Sequence, residues 1–277
     1  MQERKLNSWL EFEKEIDKLE AQRARLAHEY NNYVSPLLFR GQADSSWELE
    51  STLERYTSRQ ETPALHYFRI VERVRPQVET YTGKRWGVEW SHLQTWSDEG
   101  DLMFLESFPA PEYMIYLRHH GFPSPLLDWT KSPFIAAFFA FNDIPPKTPE
   151  VAVYAYIEWA GRGKSQDADN PVISSMRARI PSHKRHFLQQ SEYTICAANT
   201  KSGVVFSSYS KAFSVTDTGE NLLWKFTLPS SDRLKVLRKL DQMNINSLSL
   251  FENEESLMST VALRAFCIEN ADKSGSR

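Results

Sequence analysis

Residues 150–159 read EVAVYAYIEW, from Glu150 to Trp159. The side chains alternate and are rich in Val and Tyr, which predicts a strand. The stretches 193–198, 203–207 and 221–228 read the same way, whereas the half of the chain before residue 150 carries apolar residues mainly at helical spacing. Strands that follow helices in this order favour an α+β fold: N-terminal helices plus a mixed, mainly antiparallel β core.

Working outward, Trp9, Phe12, Ile16, Leu19 and Leu26 step by three, four and seven, a helical stripe. Ser8 with Glu11 three residues on has the form of a capping box and sets the start, and Tyr30-Asn31-Asn32 ends it. Thr62 as N-cap and Pro63 as first residue predict a helix carrying Leu65, Phe68, Val71, Val74, Val78 and Tyr81, with a kink at Pro76. Residues 82–105, with Trp86, Trp90 and Trp96, have mixed periodicity. Ser231 predicts a helix with Leu234, Leu237 and Leu240, and Glu254 begins another with Leu257, Met258, Val261 and Phe266.

A chain of 277 residues allows one large domain or two small ones. Apolar residues at 41% and charged residues at 25% suit a substantial core. The 10 glycines fall below the roughly 19 expected at average usage. Neither GxGxxG nor GxxxxGK[ST] occurs, which argues against a glycine-rich phosphate loop. A net charge of -3 argues against a chain-wide grip on nucleic acid but leaves a local basic patch open. Cys196 and Cys267, without CxxC or a histidine cluster, supply neither a zinc framework nor a disulfide scaffold, so no metal is expected. The start, MQERKLNSWLEFEKEID, is too polar for a secretory signal, and the longest apolar run, Phe134 to Phe141, is far short of the ~20 residues that span a bilayer. The expectation is a reduced, cytoplasmic protein with no membrane partner.

Two stretches carry chemistry. Pro36-Leu37-Leu38-Phe39-Arg40-Gly41-Gln42 predicts a buried strand ending at Phe39-Arg40-Gly41. Glycine there lets another backbone or a ligand approach closely, and the guanidinium fork binds two oxygens of a phosphate or carboxylate. Pairing of Arg40 with a neighbouring carboxylate is the other reading. Pro111 to His120 predicts a helix stopped by Gly121, its Arg118, His119 and His120 complementing the helix dipole. Then comes Phe122-Pro123-Ser124-Pro125-Leu126-Leu127-Asp128-Trp129-Thr130-Lys131, read as a rigid, proline-bracketed loop. Ser132 and Pro133 open a helix that is apolar all round through Phe141, hence buried. Asp128, Trp129 and Thr130 stand at its mouth, as binding residues or as caps and core.

Taken together, Leu38-Phe39-Arg40-Gly41-Gln42 and the segment from Leu117 to Pro133 closely resemble the FRG domain, named for its Phe-Arg-Gly signature. Arg185 through Gln190 to Tyr193-Thr194 resembles that family's Arg…Gln-Gln-Gly-Phe-Thr segment, with Ser191 in place of Gly and Tyr193 in place of Phe. Ser249-Leu250-Phe251 and the acidic residues after it are similar to its Leu-Phe-Pro-Asp-Leu-Asp stretch, with Glu252 replacing the proline and Glu255 near the second Asp. These blocks run in family order from about residue 36 to 260, which implies an N-terminal helix at 1–33 and an FRG-type α+β domain at 34–277.

FRG domains occur in bacterial proteins, often in settings suggestive of antiviral defence or toxin systems. The arrangement also resembles, remotely, the ADP-ribosyltransferase plan, by analogy of fold alone. That resemblance implies NAD as co-substrate, a nucleotide-type ligand, and a protein or nucleic-acid acceptor. In this scheme Arg40 holds phosphate, His119 or His120 contacts ribose hydroxyls, and Trp129 or a nearby Tyr stacks on a ring. Asp128 and Thr130 join the cofactor-binding set, and Gln190 orients the acceptor. Glu252, Glu254 or Glu255 supplies the catalytic carboxylate, Glu255 being the one chosen. The alternative is a non-catalytic nucleotide- or nucleic-acid-binding module using Arg40 and the basic cluster at 177–186. A third reading makes Arg40 a structural partner of the Asp128 carboxylate.

Overall fold

The computed structural model describes residues 1–30, 34–88, 93, 96, 108–145, 147–160, 170–176, 184–215 and 221–268. Residues 89–92 and most of 94–107, where no firm element was predicted, lie outside them, as do Arg177, Arg179 and His183 of the basic cluster.

Strands and helices alternate irregularly in a mixed α/β arrangement. In chain order the described strands are β1 (Gln2–Lys5), β2 (Leu38–Gln42), β3 (Glu61–Pro63), β4 (Leu127–Thr130), β5 (Glu150–Ile157), β6 (Val172–Ser175), β7 (Ser191–Thr200), β8 (Gly203–Ser207) and β9 (Leu222–Pro229). They form one sheet in the order β1-β9-β5-β2-β4-β7-β8-β3, with β6 added to β7. All pairings are antiparallel except β1 with β9. The α-helices are α1 (Trp9–Glu29), α2 (Thr52–Thr57), α3 (Ala64–Thr82), α4 (Pro111–His119), α5 (Pro133–Asn142), α6 (Lys184–Leu188), α7 (Tyr209–Val215), α8 (Arg233–Gln242), α9 (Ser247–Phe251) and α10 (Glu254–Ala262). No helix among the described residues is long and apolar enough to cross a membrane.

The alternation in β5 is used on both faces. Val151, Val153, Ala155 and Ile157 share a core with α1, α5 and α8, while Ala152, Tyr154 and Tyr156 pack in a second core with Leu38, Trp129 and Tyr209. Helix α1 contributes Trp9, Phe12, Ile16 and Leu19 to the first of these cores, so it is packed into the sheet. Its N-cap is Ser8, whose hydroxyl accepts from the Glu11 amide at 3.3 Å. The return half of the box falls one residue early, because the Glu11 carboxylate accepts from the Asn7 amide. A third core, between the far half of the sheet and helices α3 and α4, holds Phe68, Tyr113, Tyr193 and Phe206.

Helix α5 packs directly on β2, and Gly41 is what permits it. A Cβ at position 41 would stand 1.9 Å from the carbonyl oxygen of Ala136 and 2.6 Å from the amide of Ala140. The close approach expected at this glycine is therefore that of a helix backbone. Ser132 caps α5 through its hydroxyl, which accepts from the Ile135 amide, and Pro133 opens it. Ile135 to Phe138, Ala140 and Phe141 are buried, while Phe134 and Phe139 are partly so.

Three local expectations are corrected. Residues 127–130 are the strand β4 and not a loop: Leu127 and Trp129 enter the second core and the backbone pairs with β7. Thr62 is in β3, and α3 starts at Ala64 with Pro63 as cap, because the strand's pairing with β8 takes Thr62 first. Pro76 lies inside α3 as expected, and the helix runs on to Thr82. Ser231 lies in a 3-10 turn, Ser230–Asp232, ahead of α8.

Strand β2 is joined to β5 at five positions, from Leu38↔Tyr156 to Gln42↔Ala152, but to β4 at one, Phe39↔Thr130. Beyond that rung β2 and β4 part, and the candidate site lies where they part.

Candidate functional site

The Phe-Arg-Gly run sorts itself by the two-residue period of a strand. Phe39 and Gly41 face α5, and Arg40 and Gln42 project from the opposite side. Arg40 enters a pocket of about 830 Å³, within the range of small-molecule sites. From β4 the pocket takes Asp128, Trp129 and Thr130; from the end of α4 it takes Arg118 and His119. The loop after β2 adds Trp47, Glu48 and Glu50, with Arg55 from α2. Phe139, Asp143, Arg185, Gln189, Ser191 and Phe251 complete the wall.

Arg40 Nη1 donates to the main-chain oxygen of Asp128 at 2.8 Å. The Asp128 carboxylate turns elsewhere, its Oδ2 lying 2.5 Å from Arg118 Nη2. The Arg40–Asp128 carboxylate pair considered from the sequence is thus replaced by a bond to the backbone. Burial pulls the Arg40 pKa down to about 10; Asp128 opposes this, and the like charges of Arg118 and Arg55 add to it. Arg40 is an under-neutralised cation in a pocket wall.

Buried polar atoms without a partner cluster here. Arg40 Nε, Gln42 Oε1, Arg118 Nε and Asp128 Oδ1 all belong to pocket residues. Buried polar groups are nearly always satisfied, so four such atoms on the lining of one pocket make it the candidate site.

His119 lies in the pocket wall, and its Nε2 is 2.7 Å from the Tyr193 hydroxyl. That hydroxyl is also 3.4 Å from His186 Nδ1, and the His186 ring stacks on the Tyr193 ring at 5.7 Å. Burial pushes the Tyr193 pKa up and the His186 pKa down.

The remaining sequence candidates fall into three groups. Trp129 and Thr130 line the pocket but are engaged in the fold. The Trp129 ring stacks on Tyr156 and donates to Thr194 Oγ1 at 2.8 Å, and Thr130 Oγ1 accepts from the Ser132 amide. His120 and Gln190 are exposed and outside the lining. His120 lies against Tyr116, and Gln190, at φ 47°, offers its main-chain oxygen to the Lys131 amide. Its neighbour Gln189 is the one in the wall, its Nε2 donating to the Leu250 oxygen at 3.1 Å. Glu255 is exposed on α10 and outside the lining, as are Glu252, which faces Lys184 at 3.3 Å, and Glu254. Of the basic cluster's described residues, Arg185 reaches the pocket and lies 5.5 Å from the Phe251 ring centre.

Sequence reasoning missed Trp47, Gln42, Arg55 and Gln189 as wall residues and took Arg118 for a helix-end cation only. Gln42 had a signal in its two-residue spacing from Arg40. The others reach the pocket through loop paths that no local pattern encodes. Among the described residues no group of three or more His, Cys, Asp or Glu is placed to hold a metal ion.

Compared with known proteins, the chain matches the family model of the FRG domain over residues 35–148. No curated protein and no solved structure matches it. The matched span carries Arg40, Gln42, Trp47, Arg118, His119 and Asp128, while Arg185, Gln189 and Phe251 come from beyond it. By this match, residues 35–148 carry the FRG domain.

Proposed function

We propose that this FRG domain binds a pyrophosphate-bearing nucleotide, NAD, in the pocket between β2 and β4, and acts on it as an ADP-ribosyltransferase. The observation that carries the reading is the cluster of unpartnered buried polar atoms on Arg40, Gln42, Arg118 and Asp128 around one cavity, with Arg40 under-neutralised. A planar guanidinium fork suits the paired oxygens of a pyrophosphate. Arg40 Nη1 is held by the Asp128 oxygen, so the fork has a fixed direction before a ligand arrives. Such preorganisation lowers the cost of binding.

Cleavage of the nicotinamide–ribose bond builds positive charge on the sugar, and a nearby carboxylate stabilises it. With Glu255 outside the wall, Asp128 takes that role, as the carboxylate whose residue touches Arg40. His119, backed by Tyr193, faces the ribose hydroxyls. A second reading is a non-catalytic sensing module on the same pocket, favoured by the absence of Glu252, Glu254 and Glu255 from its wall.

Calorimetry with NAD, run beside a nicotinamide-release assay and label transfer into bacterial lysate, decides between them. NAD binding with nicotinamide release supports the transferase, and transfer to lysate protein or nucleic acid gives the acceptor that a defence or toxin role requires. Binding without release, with or without lysate, leaves the sensing module. No binding removes the proposal.

A further inference from the structure

We infer that the end of the pocket formed by Gln42 and Trp47 is an adenine subsite, which reads the exocyclic amino group with Gln42 and stacks the ring on Trp47. This rests on the NAD reading above and says which residues hold its adenine.

Trp47 is an indole left 49% exposed at the pocket wall, unlike Trp9, Trp129 and Trp224, which are all buried. Its loop is pinned rather than loose. The Trp47 amide donates to the Asp44 oxygen, its own oxygen accepts from the Tyr154 hydroxyl at 3.3 Å, and Ser45 bonds across to Glu150. A half-exposed indole on a pinned loop, in a wall that also carries Arg40 and Arg55, is the kind of arrangement that holds a flat heterocycle, since every base offers a π-face.

Gln42 supplies discrimination. It is 5% exposed, and its Nε2 donates to the Glu48 main-chain oxygen at 3.0 Å, next to Trp47 in the chain. Because a carbonyl can only accept, this bond fixes which way the amide points. Oε1 is then an acceptor with no partner. An acceptor in that position matches the 6-amino group of adenine. It opposes the 6-oxo group of hypoxanthine, and the amide cannot turn over without setting Oε1 against the Glu48 oxygen. A site built to hydrogen-bond one group rejects the analogue that lacks it, because a buried polar atom is then left unpaired. Arg40 lies two residues back on the same side of β2, about 7 Å along the strand, so a base at Gln42 keeps its phosphates beside the guanidiniums.

The test uses ADP, IDP and inorganic pyrophosphate as probes, measured by calorimetry and by quenching of indole fluorescence on the full chain. ADP is expected to bind at least about tenfold more tightly than IDP or pyrophosphate and to quench fluorescence. Trp47→Ala, at a half-exposed position outside the three cores, is expected to weaken ADP about tenfold and pyrophosphate far less, and Trp47→Phe to restore part of the loss. Gln42→Leu is expected to erase the preference for ADP over IDP. The wild-type comparison stands alone if that variant fails to fold. Equal affinity for ADP and IDP, or ADP no tighter than pyrophosphate, overturns the adenine subsite and leaves the anion pocket intact. Failure of all three probes overturns both readings.

Discussion

Arg40 grips the main-chain oxygen of Asp128 at 2.8 Å, while the Asp128 carboxylate is given to Arg118 at 2.5 Å. The two residues are joined through the main chain, and the Asp128 charge only partly offsets the burial of Arg40. Burial outweighs that charge, and the strand end that carries Asp128 is held against β2 by a side chain where a ladder bond would otherwise run. That division separates a structural bond from an electrostatic demand, and mutations can take the two apart.

Replacing Arg40 by Met removes a cation whose pKa is depressed, which means that the folded state carries the charge at a cost. The melting temperature is expected to equal or exceed that of wild type, by about 2–4 °C for each kcal/mol regained in a chain of this size. NAD and pyrophosphate binding should disappear. Arg40→Lys should keep the fold and weaken binding, because the fork is lost. Calorimetry beside thermal unfolding checks both. A loss of ~3–5 kcal/mol in Arg40→Met would instead mark a purely structural residue.

Asp128→Asn frees Arg118 from its ion pair. That pair is partly exposed, so the stability loss should be small, about 1 kcal/mol or less. Pyrophosphate should then bind more tightly, since Arg118 no longer answers to an internal anion. Nicotinamide release should fall by ~10²-fold or more if Asp128 faces the cationic ribose. Tighter anion binding with unchanged release would move the carboxylate role elsewhere in the wall.

Gly41→Ala tests the contact between β2 and α5. The added carbon would overlap the Ala136 oxygen, and neither backbone can yield without shifting the helix. A loss of ~3 kcal/mol or more is expected, at or above the usual range for overpacking. Ala137→Asp, which buries an unpaired carboxylate in the same helix, should prevent folding. Circular dichroism and a urea melt read both variants.

The pH response should carry the signature of His186. Burial lowers its pKa below 6.5, with Lys131 adding to the shift and Glu192 opposing it. The unfolded chain therefore takes up the proton first. Stability from this residue is complete above pH 6.5 and is lost as pH falls through the folded value. Between pH 7.5 and 5 the urea midpoint should drop more steeply in wild type than in His186→Phe, which keeps the ring stack on Tyr193 and cannot titrate.

What the sequence made legible was whatever a local period or cap could encode. Ser8, Ser132 and the apolar steps after each locate α1 and α5, and the alternation at 150–157 locates a central strand. Strand β4 was hidden because four residues, two of them Asp and Thr, sit between prolines and a helix cap, too short to show a period. Strand β1 was hidden because Gln2 to Lys5 are all exposed, and only backbone pairing with β9 makes them a strand. In the site, Arg40, His119 and Asp128 were named from motif and position, and the pocket contains them. Trp47 and Gln189 are brought there by loop paths and by the β4–β7 pairing. Glu255 was chosen on family order, but the sharp turn at Glu252, φ 49°, separates α9 from α10 and leaves Glu255 outside the wall.

The lone Phe39–Thr130 rung has a bearing on folding energetics. Strands β1, β9, β5 and β2 complete their pairing on one side of it, and β4, β7, β6, β8 and β3 on the other. Sheets open in cooperative units whose boundaries fall where few contacts cross. A molecule seated between Arg40 and Asp128 would touch one unit on each side, and part of its binding energy would go into making two foldons behave as one. Amide exchange would register that union as protection gained together in β2 and β4, far into strands that the ligand never reaches.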